Sequence, residues 1–398
     1  MAKSKKYNIS TIIIFSFLSI FALGQLIKLN IDVGGATLGI APIDVLACIA
    51  SLIYVLPKRK IDILVKIPSV FYVAFFSLLL SLNVVSLGGV IVGAMYFVRA
   101  LTYYFFYLFL RENVSDDTQL REIIIKTLVF IGLVIALLGL IQYVIYPDLT
   151  GIVALGWDNH LYRLVGSFID PGFTGLFLAF AILVGVYMQS ITKDRRFVWI
   201  IGVMVIALLL TYSRASYLAL LAGLAALFVA NSNLRKITAV YAFIFMISIP
   251  LLPRPNSIGV KLERTGTVVH RINNYDETIS IWRNNPVFGV GYNTLCAYKK
   301  EILKRTDVGE HSCSGADSSL LLLLATTGVI GACAFVNDAL KIIKASMFTK
   351  NALFTATLFS LFVHSLFVNS MFYSWTMGWI GLIACVTKLQ QTLTTRHV

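Results

Sequence analysis

The amino-acid sequence predicts an all-α fold: a polytopic transmembrane helical bundle of about twelve spans, with one long extracytoplasmic loop carrying amphipathic helices. Three observations predict it. Of 398 residues, 58% are hydrophobic and 13% charged, with a mean hydropathy of +0.84; soluble domains run nearer half apolar and a quarter charged. Several stretches hold about 20 apolar residues, enough to cross the hydrocarbon layer. Basic residues gather in every second loop, the bias that orients membrane proteins. A water-soluble enzyme is thereby excluded. The formal net charge of +14 reads as a topology signal, and nucleic acid drops out as a partner.

Taken in order, the apolar stretches run 10–28, 40–56, 67–86, 89–110, 123–146, 168–190, 197–212, 215–231, 237–252, 317–336, 352–369 and 374–387. The first follows Lys3, Lys5 and Lys6; it imitates a signal peptide but is read as a retained span. Residues 1–252 therefore hold spans one to nine, 253–316 the long loop, and 317–398 spans ten to twelve, all one integral membrane domain. No internal repeat or heptad array interrupts this order. The basic loops, among them Lys58-Arg59-Lys60, Lys193/Arg195/Arg196, Arg235-Lys236 and Lys341/Lys344/Lys350, place themselves and both termini in the cytoplasm. Segments 147–167 and 253–316 and the turn at Tyr212-Ser213-Arg214 then lie outside.

Five cysteines fall in no CxxC or histidine-linked spacing, which argues against a structural zinc or iron–sulfur site. Cys296 and Cys313 share the long loop and could pair in an oxidising compartment; two unpaired thiols are the favoured reading. Charge on the outer side is where chemistry is sought. Arg214 sits at a tight turn beside the start of the next helix, where helix-end N–H groups and a guanidinium together suit phosphate; snorkelling to headgroups is the equal alternative. The loop adds Arg254, Arg264, Arg271 and Arg283. Ile272, Tyr275, Ile279 and Trp282 recur at helical spacing, predicting an amphipathic helix. Pro286-Val287-Phe288-Gly289-Val290-Gly291 follows as a helix stop and tight bend. Asp317-Ser318-Ser319 opens the next span and reads as an N-cap. Arg99, midway through the fourth span, faces the bundle interior and is a candidate partner of Asp44 or of a phosphate. His364 and Asn369 read as helix–helix hydrogen bonding.

These motifs, in this order, resemble the O-antigen ligase/polymerase superfamily, the Wzy- and WaaL-type glycan polymerases and ligases. The family's Ser-Arg-small-aromatic turn is matched by Ser213-Arg214-Ala215-Ser216-Tyr217. Its arginine eighteen residues before a Pro-Leu-Phe-Gly-Val-Gly-like turn is matched by Arg271 and Gly289, and its Thr-Gly-hydrophobic-Ile-Gly helix by Thr327 to Gly331. Upstream, Gly166-Ser167-Phe168-Ile169-Asp170-Pro171 resembles a Gly-Thr-Phe-x-(Asn/Asp)-Pro run. Ligase-like members usually open the last motif with His-Asn, eleven residues before the Thr-Gly glycine. Here that position is Asp317, followed by Ser318, with His311 six residues earlier. The departure favours the polymerase branch.

The resemblance implies a bacterial cytoplasmic (inner) membrane glycosyltransferase. It would polymerise polyprenyl-pyrophosphate-linked repeat units into O-antigen, capsule or exopolysaccharide on the outer face, with such glycans as donor and acceptor. Membrane lipids are partners as well, and room is left for a chain-length regulator. Arg214 and Arg271 are assigned to the pyrophosphate. Asp317 is the first choice of base, His311 the second, and Asp276 or Glu277 would serve if turned inward. Arg163, Asp170, Arg283 and Arg99 are expected as supporting contacts. No Asp-x-Asp signature appears in the outer segments, so neither metal nor other cofactor is expected. A ligase attaching finished glycan to another acceptor is the nearest alternative. A lipid-linked sugar flippase or transporter is the alternative of another class, disfavoured by the absence of repeated halves.

Overall fold

The computed structural model describes residues 9–33, 36–64, 66–155, 157–255, 257–305, 315–348 and 351–387; His311 and Cys313 lie outside them. Each apolar stretch overlaps a helix. The order is α1 (Ile9–Phe21), α2 (Pro42–Val55), α3 (Lys60–Leu64), α4 (Ser69–Leu80), α5 (Leu87–Val114), α6 (Thr118–Ile145), α7 (Pro171–Thr192), α8 (Arg196–Leu210), α9 (Arg214–Ala230) and α10 (Arg235–Ser248). In the long loop stand α11 (Gly266–Asn284) and α12 (Leu295–Glu301). Then come α13 (Ser319–Phe348), α14 (Ala352–Ser365) and α15 (Ser374–Val386).

Among the described residues, α5, α6, α7 and α13 are long and apolar enough to cross a membrane. Seven other apolar helices are shorter, at 10–17 residues. At about 1.5 Å per residue such helices fall short of the roughly 30 Å hydrocarbon layer, so their flanking turns must complete any crossing. One element departs from the all-α expectation: a two-stranded antiparallel hairpin, β1 (Leu29–Val33) and β2 (Ala36–Ile40), with Leu29 opposite Ile40. Its cause is local, since a Gly-Gly pair between β-branched segments is a hairpin signal.

Helix α7 is buried on every side from Thr174 to Met188, the mark of a central helix. Helices α6, α8, α9 and α14 pack around it. Where lipid is the solvent, close packing rather than apolar burial holds helices together, and aromatic rings supply much of it here: Phe168 stacks on Phe177 at 4.5 Å between centroids, and Phe17 meets Phe106 at 4.7 Å. A second core joins the long loop to the bundle, with Ile281, Val290 and Leu295 packed beside Leu78, Val90, Leu322 and Ala325. The amphipathic helix expected near 272–282 is α11. Its buried positions are Thr278 and Ile281, whereas Ile272 is exposed; the inward face is rotated from the one the spacing marked.

Helix α13 is broken at Gly328, where φ is +65° and ψ −169°. The 286–291 turn fills the break. Val290 and Gly291 N–H donate to the Ala325 and Thr326 carbonyls, each at 3.0 Å, and Val329 and Ile330 N–H donate to the Pro286 and Val287 carbonyls at 2.9 and 3.3 Å. A Cβ on Gly328 would stand 2.1 Å from Val287 O, and one on Gly289 2.4 Å from Thr326 C. The two glycine motifs thus form one backbone joint, which fixes the C-terminal end of α11 against a membrane helix.

Candidate active site

The site begins at the turn between α8 and α9. Tyr212 takes a left-handed φ of +50°, a strained conformation for a bulky residue, and its buried hydroxyl donates to Pro253 O at 2.6 Å. Ser213 then caps α9, with its Oγ accepting from Ser216 N–H at 3.4 Å. Backbone N–H groups of Thr211, Tyr212 and Leu164 satisfy the last carbonyls of α8, and arginines satisfy those of the turn that follows. Arg163 donates from Nε to Thr211 O at 3.0 Å and from Nη2 to Tyr212 O at 3.4 Å; Arg264 donates from Nη2 to Tyr212 O at 3.2 Å. Arg214 turns toward the long loop, donating to Leu262 O at 3.1 Å, Arg264 O at 3.2 Å and Thr267 Oγ1 at 2.7 Å.

Arg271, one turn into α11, completes the cluster. Its charge acts on Arg163, Arg214 and Arg264, and on Asp170 and Asp317. Among the described residues its guanidinium has no hydrogen bond or ion pair, unlike the other three. Burial pushes Arg163 down to about 10, with Arg264 the next cause. Burial likewise lowers Arg264, helped by Arg214 and Arg271. Four guanidiniums against three carboxylates, those of Asp158, Asp170 and Asp317, leave a positive surplus that an anion would relieve.

Asp317 lies beside this cluster. Its backbone N–H donates to Asn274 Oδ1 of α11 at 2.8 Å. The expected capping role belongs instead to Ser318, whose Oγ accepts from Leu321 N–H at 3.4 Å. The Asp317 carboxylate, open to solvent, has no hydrogen-bond partner among the described residues. Crowding by the protein raises it above the ordinary aspartate value, while Arg271 and Lys299 pull it back. Asp170 caps α7, accepting from Phe173 N–H at 2.8 Å; burial raises it too, against the pull of that N–H and of Arg163. His364 bridges the pieces: Nε2 stands 3.2 Å from Gly172 O and 3.4 Å from Ser216 Oγ, and Nδ1 3.0 Å from Ser370 Oγ. The inter-helix role expected of it is what it plays.

Other expected residues lie elsewhere. Arg283 is exposed at the far end of α11, twelve residues and about 18 Å of helix beyond Arg271. Arg99 pairs with Asp44 at 3.6 Å in a separate cluster. Glu277 is held by Lys299 at 2.9 Å and Arg305 at 3.2 Å, and Asp276 is exposed, so neither turns inward as a base. Cys296 is disulfide-bonded, which corrects the reading of two free thiols; formation of such a bond requires an oxidising surrounding that sequence spacing does not reveal.

Sequence reasoning named Arg264 only as one of several loop arginines and passed over Lys299, Asp158 and His160. Asp158, His160 and Asp170 bring one ligand atom each within 4.8 Å of one another, a set that suits a divalent cation by donor type. Arg163 and Arg264 beside His160, and Arg163 and Arg271 beside Asp170, oppose a cation there.

Residues 199–336 match the family described as O-antigen ligase. The match covers about a third of the chain and supports a likeness to the O-antigen ligase/polymerase superfamily. The matched segment contains Arg214, Arg271, the 286–291 turn, Asp317 and the broken helix. Arg163 and Asp170 lie upstream of it and join the site through the fold. No curated protein matches the chain. That likeness, together with the apolar helices, suggests a multi-pass membrane enzyme of the glycosyl-transferring polymerase/ligase type, acting in polysaccharide assembly.

Proposed function

We propose that the protein polymerises polyprenyl-pyrophosphate-linked oligosaccharide repeats on the outer face of the bacterial cytoplasmic membrane. The observation that carries this reading is the Arg271 guanidinium, without a hydrogen bond or ion pair among the described residues, held among three anchored arginines and beside the Asp317 carboxylate, which likewise has no hydrogen-bond partner among them. In the reaction an acceptor hydroxyl oxygen attacks the anomeric carbon of the donor. The bond from that carbon to the pyrophosphate oxygen breaks, and polyprenyl pyrophosphate leaves with the electron pair. Arg271 grips the departing phosphates with its N–H fork, while Arg163, Arg214 and Arg264 supply a fixed positive field. Asp317 accepts the hydroxyl proton; a carboxyl raised above its usual value is the better base. On this reading the guanidiniums do the electrostatic work of a divalent cation, so the reaction proceeds without metal.

The topology belongs to the same proposal: twelve spans, both termini cytoplasmic, and 253–316 as the extracytoplasmic loop between 1–252 and 317–398. The disulfide at Cys296 supports an oxidising side for that loop, and the basic alternate loops support the opposite side for the termini. The family description favours a second reading, a ligase transferring finished glycan; Asp317 in place of His-Asn is the departure that puts polymerase first. A site gathered at one end of the bundle disfavours transport, which places substrate near the midplane. The test is conversion of a lipid-linked repeat unit to longer chains by the purified full-length protein, with chelator present and nucleotide sugar absent. Attachment of preformed glycan to a separate acceptor without elongation would establish the ligase instead.

A further inference from the structure

A second, smaller cationic group lies near the arginine cluster at the same end of the bundle. Arg99 of α5 donates to Gly39 O of β2 and stands 3.6 Å from Asp44. Lys28 runs across the same glycine, where a Cβ on Gly39 would meet Lys28 Cε at 1.7 Å; its Nζ donates to Gln25 Oε1 at 3.3 Å. The two cations repel one another, and Asp44 is the carboxylate that acts on both. That carboxylate is already occupied: it accepts from Ala41 N–H at 2.9 Å and from the Tyr103 hydroxyl at 3.0 Å. Among the described residues the pair therefore carries an unanswered positive charge. A charge within a membrane span marks a ligand site more often than packing.

Directly beside this pair opens an apolar groove of about 350 Å³, lined by Ile20, Leu29, Ile40, Pro42, Val45 and Leu46. Cation and groove together match an anionic head joined to an apolar tail. Tyr373 connects this place to the first cluster: its ring lies 4.2 Å from that of Phe173 at the start of α7, and its hydroxyl senses both the Asp170 and the Asp44 carboxylates.

Polymerisation needs two lipid-linked glycans at once. The donor's pyrophosphate leaves, while the acceptor's stays attached to its own lipid and must be held elsewhere. We propose that Lys28 and Arg99 bind the pyrophosphate of the acceptor, with its polyprenyl chain in the Ile20–Val45 groove. This rests on the polymerase reading and assigns its second substrate. It also accounts for Arg99 so deep within a span.

The test is native mass spectrometry of the full-length protein in detergent, titrated with undecaprenyl pyrophosphate. Two equivalents are expected for the wild type. Lys28→Gln, and Val45→Trp at the exposed wall of the groove, should each weaken one equivalent by about 10-fold or more and leave the other. Arg271→Ala should weaken the other equivalent alone. If wild type binds one equivalent and only Arg271→Ala removes it, the acceptor site is overturned and the donor site stands. If Arg271→Ala leaves both equivalents while Lys28→Gln removes one, the donor assignment fails and this site survives. Displacement of the Lys28-dependent equivalent by phosphatidylglycerol at matching concentration would mark a bulk-lipid site and overturn the proposal. Equal displacement by inorganic pyrophosphate would overturn the role of the groove.

Discussion

Replacing Arg271 by alanine separates a catalytic arginine from a structural one. Three arginines of the cluster hold backbone carbonyls: Arg163 and Arg264 hold those of Thr211 and Tyr212 in the turn after α8, and Arg214 ties residues 262–267 to the start of α9. Arg271 holds nothing among the described residues, and its charge opposes those of the other three. Removing it relieves three repulsions and loses two attractions, to Asp170 and Asp317. In a solvent-screened setting the balance stays within about 0.5 kcal/mol. The melting temperature should therefore move by no more than about 2 °C.

Activity should respond very differently. A hydrogen bond to a charged group is worth about 1.5–3 kcal/mol, so losing one of the two N–H bonds to phosphate costs roughly 10- to 150-fold in rate, and losing both costs more. The assay is elongation of a lipid-linked repeat by the purified protein, read alongside thermal unfolding of the same preparation. Arg214→Ala is the contrast: three hydrogen bonds go, and stability and activity should fall together. An Arg271→Ala protein with activity within about threefold of wild type, or one that loses stability as Arg214→Ala does, would refute the assignment.

Three further outcomes are expected. Gly328→Ala forces a side chain into a backbone region that costs about 1–3 kcal/mol even without a clash, and its Cβ would meet Val287 O at 2.1 Å; thermal unfolding should show a loss of at least that size, and unchanged stability would contradict the broken-helix joint. Asp317→Asn should abolish the acid limb of the pH–rate profile. In the wild type that limb, where activity falls with pH as the carboxylate is protonated, should lie above the 3.8 of an ordinary aspartate; a limb that persists in the variant would exclude Asp317 as the base. Burial holds His160 down at about 4 against an ordinary 6.5, so its stabilising contribution is complete above pH 6.5 and is lost as pH falls toward 4, by about 3 kcal/mol in all. His160→Gln should flatten that part of the stability–pH curve, and an identical slope would show that the ring is not buried neutral.

The helices were legible because the length of an apolar run is a one-dimensional signal. A run of apolar residues must be helical in lipid whatever packs beside it, so each stretch from 10–28 to 374–387 overlaps a helix. What the sequence could not show was the backbone at Tyr212 and Gly328, whose positive φ values no hydropathy pattern records. The motifs picked out residues that the fold brings together, but not what each of them contacts. Arg214 and Arg271 looked equivalent in sequence, and only geometry separates the one bound to carbonyls from the one left open. Arg264 and Arg163 reach the cluster through loops whose paths depend on long-range contacts such as Tyr212 to Pro253.

The glycine motifs carry a different lesson. Gly289 and Gly328 look like flexible loop and helix positions, yet together they weld α11 to α13 by four backbone hydrogen bonds. Arg271 and Asp317 stand upstream of the two halves of that weld, on α11 and at the start of α13, and Asn274 joins them by bonding Asp317 N–H at 2.8 Å. Relative displacement of Arg271 and Asp317 is thus resisted at both ends, by the backbone joint and by the Asn274 contact. On the proposed polymerase reading, a site that holds a pyrophosphate and an attacking hydroxyl in line gains its rate from such fixed placement. The ordered spacing of the motifs is the linear trace of that frame, which is why three individually weak patterns mark one place.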